Sequence, residues 1–184
     1  MAQLTKLLTA IGLDILWGLR PRLQSQSVRT PETFRDQEGA ASDDVVSLRA
    51  LLRRFPFWAR GRVLLAEVSL RNNDVATAYA EAQALRILAR RDSHHEATAL
   101  LLLGRCFLQR GDATSALSLL NEAHALRPND HRIQEERSAA YALLGDRPQA
   151  LAILLTIPVS HLSAESKAAM QWLEGGEAPA QRKN

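Results

Sequence analysis

Few side chains in this sequence are placed to do chemistry. His94-His95-Glu96 puts three metal-ligating types in a row. Neighbours along a helix point about 100° apart, so adjacent ligands seldom converge on one ion, and no HExxH spacing follows. The run reads instead as the polar first turn of a helix beginning near Ser93. His124 and His131 stand alone and read as solvated helix positions. Cys106 is the sole cysteine, which excludes an intramolecular disulfide framework and a cysteine-rich zinc site. Set in Gly104-Arg105-Cys106-Phe107-Leu108, it reads as a small buried hydrophobe with no base beside it to activate the thiol. Glu135 and Glu136 are sequential and are expected on different sides of a helix. No glycine-rich phosphate loop, nucleophile elbow or paired-carboxylate motif occurs. The sequence therefore predicts no catalytic residue, no metal site and no cofactor.

A different kind of chemistry is offered by Arg49, Arg53, Arg54, Arg60 and Arg62, the densest basic stretch, with no acid between Asp44 and Glu67. Phe55, Phe57 and Trp58 interleave with it, and cations among aromatics suit nucleic acid or an acidic peptide. The plainer reading is a solvated helix face beside aromatics packed at a helix junction. The net charge is only +3, from 23 basic and 20 acidic residues, too even for a general nucleic-acid face. An acidic protein segment is the more fitting target, and no nucleic-acid partner is expected.

The elements that must position these residues are helical. The 184 residues suffice for one ordinary domain, and 31 Leu with 29 Ala make about a third of the chain strong helix formers. Nine Gly and seven Pro are too few for a linker-dominated or collagen-like chain. The chain matches itself at a spacing of 34 residues: Gly104-Arg105-Cys106-Phe107 with Ser138-Ala139-Ala140-Tyr141, Gly111-Asp112 with Gly145-Asp146, Ala116 with Ala150, and Leu120 with Leu154. Each offset has a physical reason. Gly104 and Ala116 let two antiparallel backbones approach, while Phe107 and Leu120 fill the wider space beside them. Gly111 ends one helix, Asp112 caps the next, Pro128 stops that one, and Asn129 or Asp130 caps its successor.

This pattern resembles the tetratricopeptide (TPR) repeat family. From Ala97 to Asp130, Leu100 stands at the family's Trp position, Leu103-Gly104 supply its Leu-Gly pair, and Phe107, Ala116, Leu120, Ala123 and Pro128 follow at its offsets. A further repeat runs from His131 to about Val159, with Ser138 at the Gly position. An earlier one starts near Ala59, with Asn73-Asp74 at the turn and Ala66, Ala78 and Leu85 at packing offsets. Its spacing to the next is 38, and the four extra residues are expected in a lengthened second helix ending near Arg91. Asp43 to Phe55 reads as the second helix of a worn repeat, with Val46, Leu48, Leu51 and Leu52 on its apolar side. Ser163 to Glu174 reads as a C-terminal cap that docks through Met170, Trp172 and Leu173 and stops at Gly175.

The expected fold is all-α: a right-handed α-solenoid of about three TPR-like helix pairs over residues 43–174, with an N-terminal amphipathic helix and a C-terminal capping helix. Residues 23–42 read as a flexible linker and 175–184 as a disordered tail. Within 1–22, Leu4, Leu7, Leu8, Ile11, Ile15 and Leu19 recur at helical spacing, but the run is short and broken by Lys6 and Asp14. That argues against a membrane span and fits a secretory signal poorly. Three readings stay open for it: packing on the repeats, binding a partner or second copy, or lying in a membrane interface with Trp17, Arg20 and Arg22 at the headgroups.

The resemblance implies a non-enzymatic protein–protein interaction module whose first helices line a concave groove for an extended or helical partner segment. Carried over by position, that groove comprises Arg60, Val63, Leu64, Glu67 and Arg71, then Leu101, Leu102, Arg105, Leu108 and Gln109, then Arg132, Glu135 and Glu136. Family members that clamp the C-terminal carboxylate of heat-shock chaperones use Lys and Asn at set offsets. Val63, Glu67 and Leu102 stand at such offsets here, which speaks against that specialisation. An apolar middle flanked by Arg suits an amphipathic segment with acidic residues. The three-repeat plan, with Arg54-Phe55-Pro56-Phe57, resembles bacterial secretion chaperones. An adaptor, scaffold or co-chaperone is the first expectation. The alternatives are a membrane-peripheral assembly factor or a regulatory subunit of an enzyme complex, anchored by residues 1–20; homo-oligomerisation is open. The expected location is the cytoplasm, with the periphery of the inner membrane as the alternative.

Overall fold

The computed structural model describes residues 42–89 and 92–175, so the expectations for residues 1–22, for 23–41 of the linker and for 176–184 of the tail lie outside the described residues. Within them the chain forms α1 (Ser42–Arg54), α2 (Ala59–Arg71), α3 (Val75–Leu88), α4 (Ser93–Gln109), α5 (Ala113–Leu126), α6 (His131–Leu143), α7 (Arg147–Leu155), a single 3-10 turn (Val159–His161) and α8 (Ala164–Leu173), with no strand. Ser42 already belongs to α1 rather than to the linker.

The same turn is built three times, between α2 and α3, α4 and α5, and α6 and α7. Asn73, Gly111 and Gly145 take positive φ values of 58°, 78° and 84°, the left-handed conformation that ends a helix and that Gly, then Asn, adopts at least cost. The following Asp74, Asp112 and Asp146 donate their backbone N–H back to Ser69, Phe107 and Tyr141. Their side chains accept from the N–H of Thr77, Ser115 and Gln149. Each turn thus satisfies orphan carbonyls of one helix and an orphan N–H of the next, and it reverses the chain into an antiparallel pair.

Inside each pair small residues face each other. A Cβ at Gly104 would lie 2.7 Å from Leu120 Cγ, so α4 and α5 meet at glycine distance. Ser138 replaces that glycine in the next pair, and its buried hydroxyl donates to the Ala150 carbonyl at 2.8 Å. Ala66, Ala78, Ala116 and Ala150 are fully buried at the matching positions. Helix α4 joins two core clusters: Leu102, Leu103 and Cys106 pack with α2 and α3, while Leu100 and Leu101 pack with α5 and α6.

The four extra residues of the 38-residue spacing are not in a lengthened second helix. Helix α3 ends at Leu88 and has the same 14 residues as α5, whereas α4 has 17 against 13 in α2. The added turn is Ser93–Glu96 at the start of α4, where Asp92 accepts the backbone N–H of His94 and His95 and bonds the His95 ring at 2.5 Å. A capping aspartate can nucleate a helix one turn early, and here it does. Leu48, Leu51 and Leu52 of α1 are buried as expected, but Val46 faces solvent: two residues from Leu48, it lies about 200° around the helix from that stripe. At the other end Ser163 caps α8, Leu173 is buried against α7, and Arg147 lies over the Trp172 ring and bonds its carbonyl. Gly175 follows with positive φ.

Candidate partner-binding groove

Helices α2, α4 and α6 contribute to one cleft of about 210 Å³, lined by Glu67, Thr98, Leu101, Leu102, Arg105, Arg132, Glu135, Glu136, Ser163 and Glu165. Leu101 and Leu102 form its floor and are themselves buried in the core. Arg105 Nε meets Glu136 Oε1 at 3.0 Å, and Arg132 reaches Glu67 across the cleft at 3.9 Å. Glu135 accepts the Ser163 backbone N–H at 2.6 Å, which ties the start of α8 to this wall. Four carboxylates therefore face two guanidinium groups. Burial pushes the Glu136 carboxyl above its ordinary range; Arg105 opposes the rise, and Glu135 and Glu165 add to it.

The cleft gathers seven of the thirteen residues expected in the groove: Glu67, Leu101, Leu102, Arg105, Arg132, Glu135 and Glu136. The other six do not line it. Arg60 and Arg71 are exposed at the two ends of α2, and Leu64 is half-buried between them. Val63 packs against the first core cluster and Leu108 against the second. Gln109 donates its side-chain amide to the Leu70 carbonyl at 3.1 Å. Glu135 and Glu136 both line the cleft although successive side chains leave a helix about 100° apart, because a concave wall is wide enough to receive both directions.

The chain shares its fold with a solved structure, the crystal structure of TTC0263, a thermophilic TPR protein in Thermus thermophilus. That likeness has a TM-score of 0.61 and 22% identity over 70% of each chain. No protein-family model matches the sequence, and no curated protein does. The fold is that of a TPR helical-repeat solenoid.

In this TPR-like solenoid three cleft residues escape sequence reasoning. Thr98 precedes Leu101 and Leu102 by one helical turn, a spacing that could have flagged it. Its hydroxyl donates to the His94 carbonyl. Ser163 and Glu165 read only as a helix start; their place in the cleft comes from the docking of α8 and has no local signal.

The other candidates for chemistry are accounted for by structure. Cys106 is fully buried, and desolvation raises its thiol pKa despite Arg110 and Arg105 nearby. His131 is not isolated: its ring stacks on His161 at 4.7 Å. His124 is half-buried rather than solvated, and burial, then Arg137, lowers its pKa. Among the described residues no group of three or more His, Cys, Asp or Glu could hold a metal ion, and no helix is long and apolar enough to cross a membrane.

Proposed function

We propose that this chain is a non-enzymatic protein–protein interaction module, an adaptor or scaffold whose repeat body over residues 43–174 holds a segment of another protein against the wall formed by α2, α4 and α6. The observation that carries this is the cleft itself, which joins an apolar floor of Leu101 and Leu102 to a charged rim in one recess. At about 210 Å³ it is smaller than the roughly 300 Å³ at which small-molecule sites begin, and it suits a single anchoring side chain of a longer segment. The full burial of Cys106 and the capping role of Asp92 toward His94 and His95 support a binding rather than a catalytic reading.

The rim also refines the partner's chemistry. An acidic segment follows from the arginines alone, but Arg105 and Arg132 already face Glu136 and Glu67. The remaining Glu135 and Glu165 leave the recess with excess negative potential, so the proposed anchor is a Lys or Arg of the partner. The test is crosslinking capture by the full chain, comparing the unaltered protein with Glu67→Lys/Glu165→Lys and with the control Leu143→Ser outside the cleft. The expected result is one main partner, kept by the control and lost by the double variant at unchanged helicity. Equal capture by all three overturns the assignment of this face, and turnover of a substrate by the purified chain overturns the binding class.

A further inference from the structure

The arginine–aromatic run lies outside the cleft, on the turn between α1 and α2. There Phe57 is 79% exposed and Phe55 38%, and Arg53, Arg54 and Arg60 are exposed with them. The turn is firmly held. Arg62 donates from Nε and a terminal nitrogen to the Pro56 carbonyl at 3.2 and 2.7 Å and pairs with Glu81 at 2.6 Å. The Trp58 N–H donates to the Phe55 carbonyl, and the Trp58 ring covers Gly61 so closely that a Cβ there would overlap it. These contacts hold the backbone on either side of Phe57 while its ring stays in water, an unfavourable state that a nonpolar recipient would relieve.

We infer that this turn is a membrane-contact element that seats on an anionic phospholipid surface, with Phe57 at the acyl boundary and Arg53 and Arg54 among the headgroups. Three observations favour a bilayer. No carboxylate occurs from Val45 to Ala66, and the nearby Glu81 is taken by Arg62, so the surface is complementary to negative charge. An apolar ring beside guanidinium groups matches the layering of headgroup over acyl chain. The Phe55 ring, on which a nucleic-acid base would stack, has the Arg54 guanidinium over it at 5.8 Å. This inference is independent of the concave-face reading, because it uses none of the cleft residues.

The experiment is co-sedimentation of the full chain with phosphatidylcholine vesicles, with and without phosphatidylserine. The unaltered chain is expected to bind the phosphatidylserine-containing vesicles, to bind pure phosphatidylcholine far more weakly, and to release as salt rises. Arg53→Glu/Arg54→Glu is expected to lower binding by about 25-fold or more, at roughly fivefold per arginine. Phe57→Ser should lower it by about tenfold, and Phe57→Trp should retain it, with helicity and Tm unchanged in all. Failure of the unaltered chain to bind overturns the inference, as does equal binding to neutral vesicles. So does wild-type binding by the two loss variants, which would leave any lipid affinity to residues 1–22. Loss of an RNA or acidic peptide in those variants, with vesicle binding intact, assigns the turn to that ligand instead.

Discussion

Helix α4 presents two faces with different demands. Gly104 meets Leu120 of α5 where even one methyl group collides, and the matching places in the neighbouring pairs hold only Ala or Ser. The face toward the cleft has no such repetition: Glu67 on α2, Leu101, Leu102 and Arg105 on α4, and Arg132, Glu135 and Glu136 on α6 differ in size and sign. Backbone approach leaves few side chains that fit, so the seam inside a pair repeats. An open wall imposes no such limit, and its residues are free to differ from repeat to repeat. Changes in the seam should therefore cost stability, and changes in the wall should cost binding.

The largest effect is expected at the seam. Leu120 is fully buried, and Leu120→Ala should lower unfolding free energy by about 2–5 kcal/mol in urea titration, through lost burial plus a cavity. A loss below about 1 kcal/mol would mean that α4 and α5 are not in close contact. The turns come next. Asp146→Ala removes the acceptor for the Gln149 N–H and should cost about 1 kcal/mol. Gly111→Ala, at a φ of 78°, should cost a similar amount, about 1 kcal/mol.

Smaller effects, opposite in sign, are expected from titration. The Asp112 carboxyl is lowered from 3.8 by the hydroxyl and backbone N–H of Ser115. Its contribution is full above pH 3.8 and is lost as pH falls through the lowered value. The Glu136 carboxyl is raised from 4.5 by burial, so its contribution is full below pH 4.5 and is lost as pH rises through the raised value. Denaturation as a function of pH should show Asp112→Asn flattening the acid limb, and Glu136→Gln removing a decline that begins near pH 4.5. Parallel profiles for Glu136→Gln and the unaltered chain would place Glu136 in solvent. The smallest effect on stability belongs to Glu67→Lys/Glu165→Lys, expected within about 0.5 kcal/mol although partner capture is lost. A larger loss of stability would make that rim part of the seam's mechanics.

The seam and turns were legible because their causes are local. The positive φ of Gly111, the Asp112 cap and the small Ala116 act within a few residues, so type and spacing suffice to read them. The site was legible only in part, because helix position says which way a side chain starts but not where a wall curves. Leu108 and Gln109 sit at offsets as regular as those of Leu101 and Arg105, yet one packs into core and the other bonds the Leu70 carbonyl.

From its own residues this sequence determined the helices of residues 42–175, their paired period, their caps and the burial of the lone thiol. Those follow from backbone sterics, short-range hydrogen bonds and hydrophobic spacing. Tertiary structure alone decided that Ser163 and Glu165 join the lining of the cleft, and that Arg105 and Arg132 meet carboxylates there. The reason is physical. A charge's partner depends on what folding brings within a few ångströms, and residues as far apart as Glu67 and Glu165 meet only after the helices between them have packed.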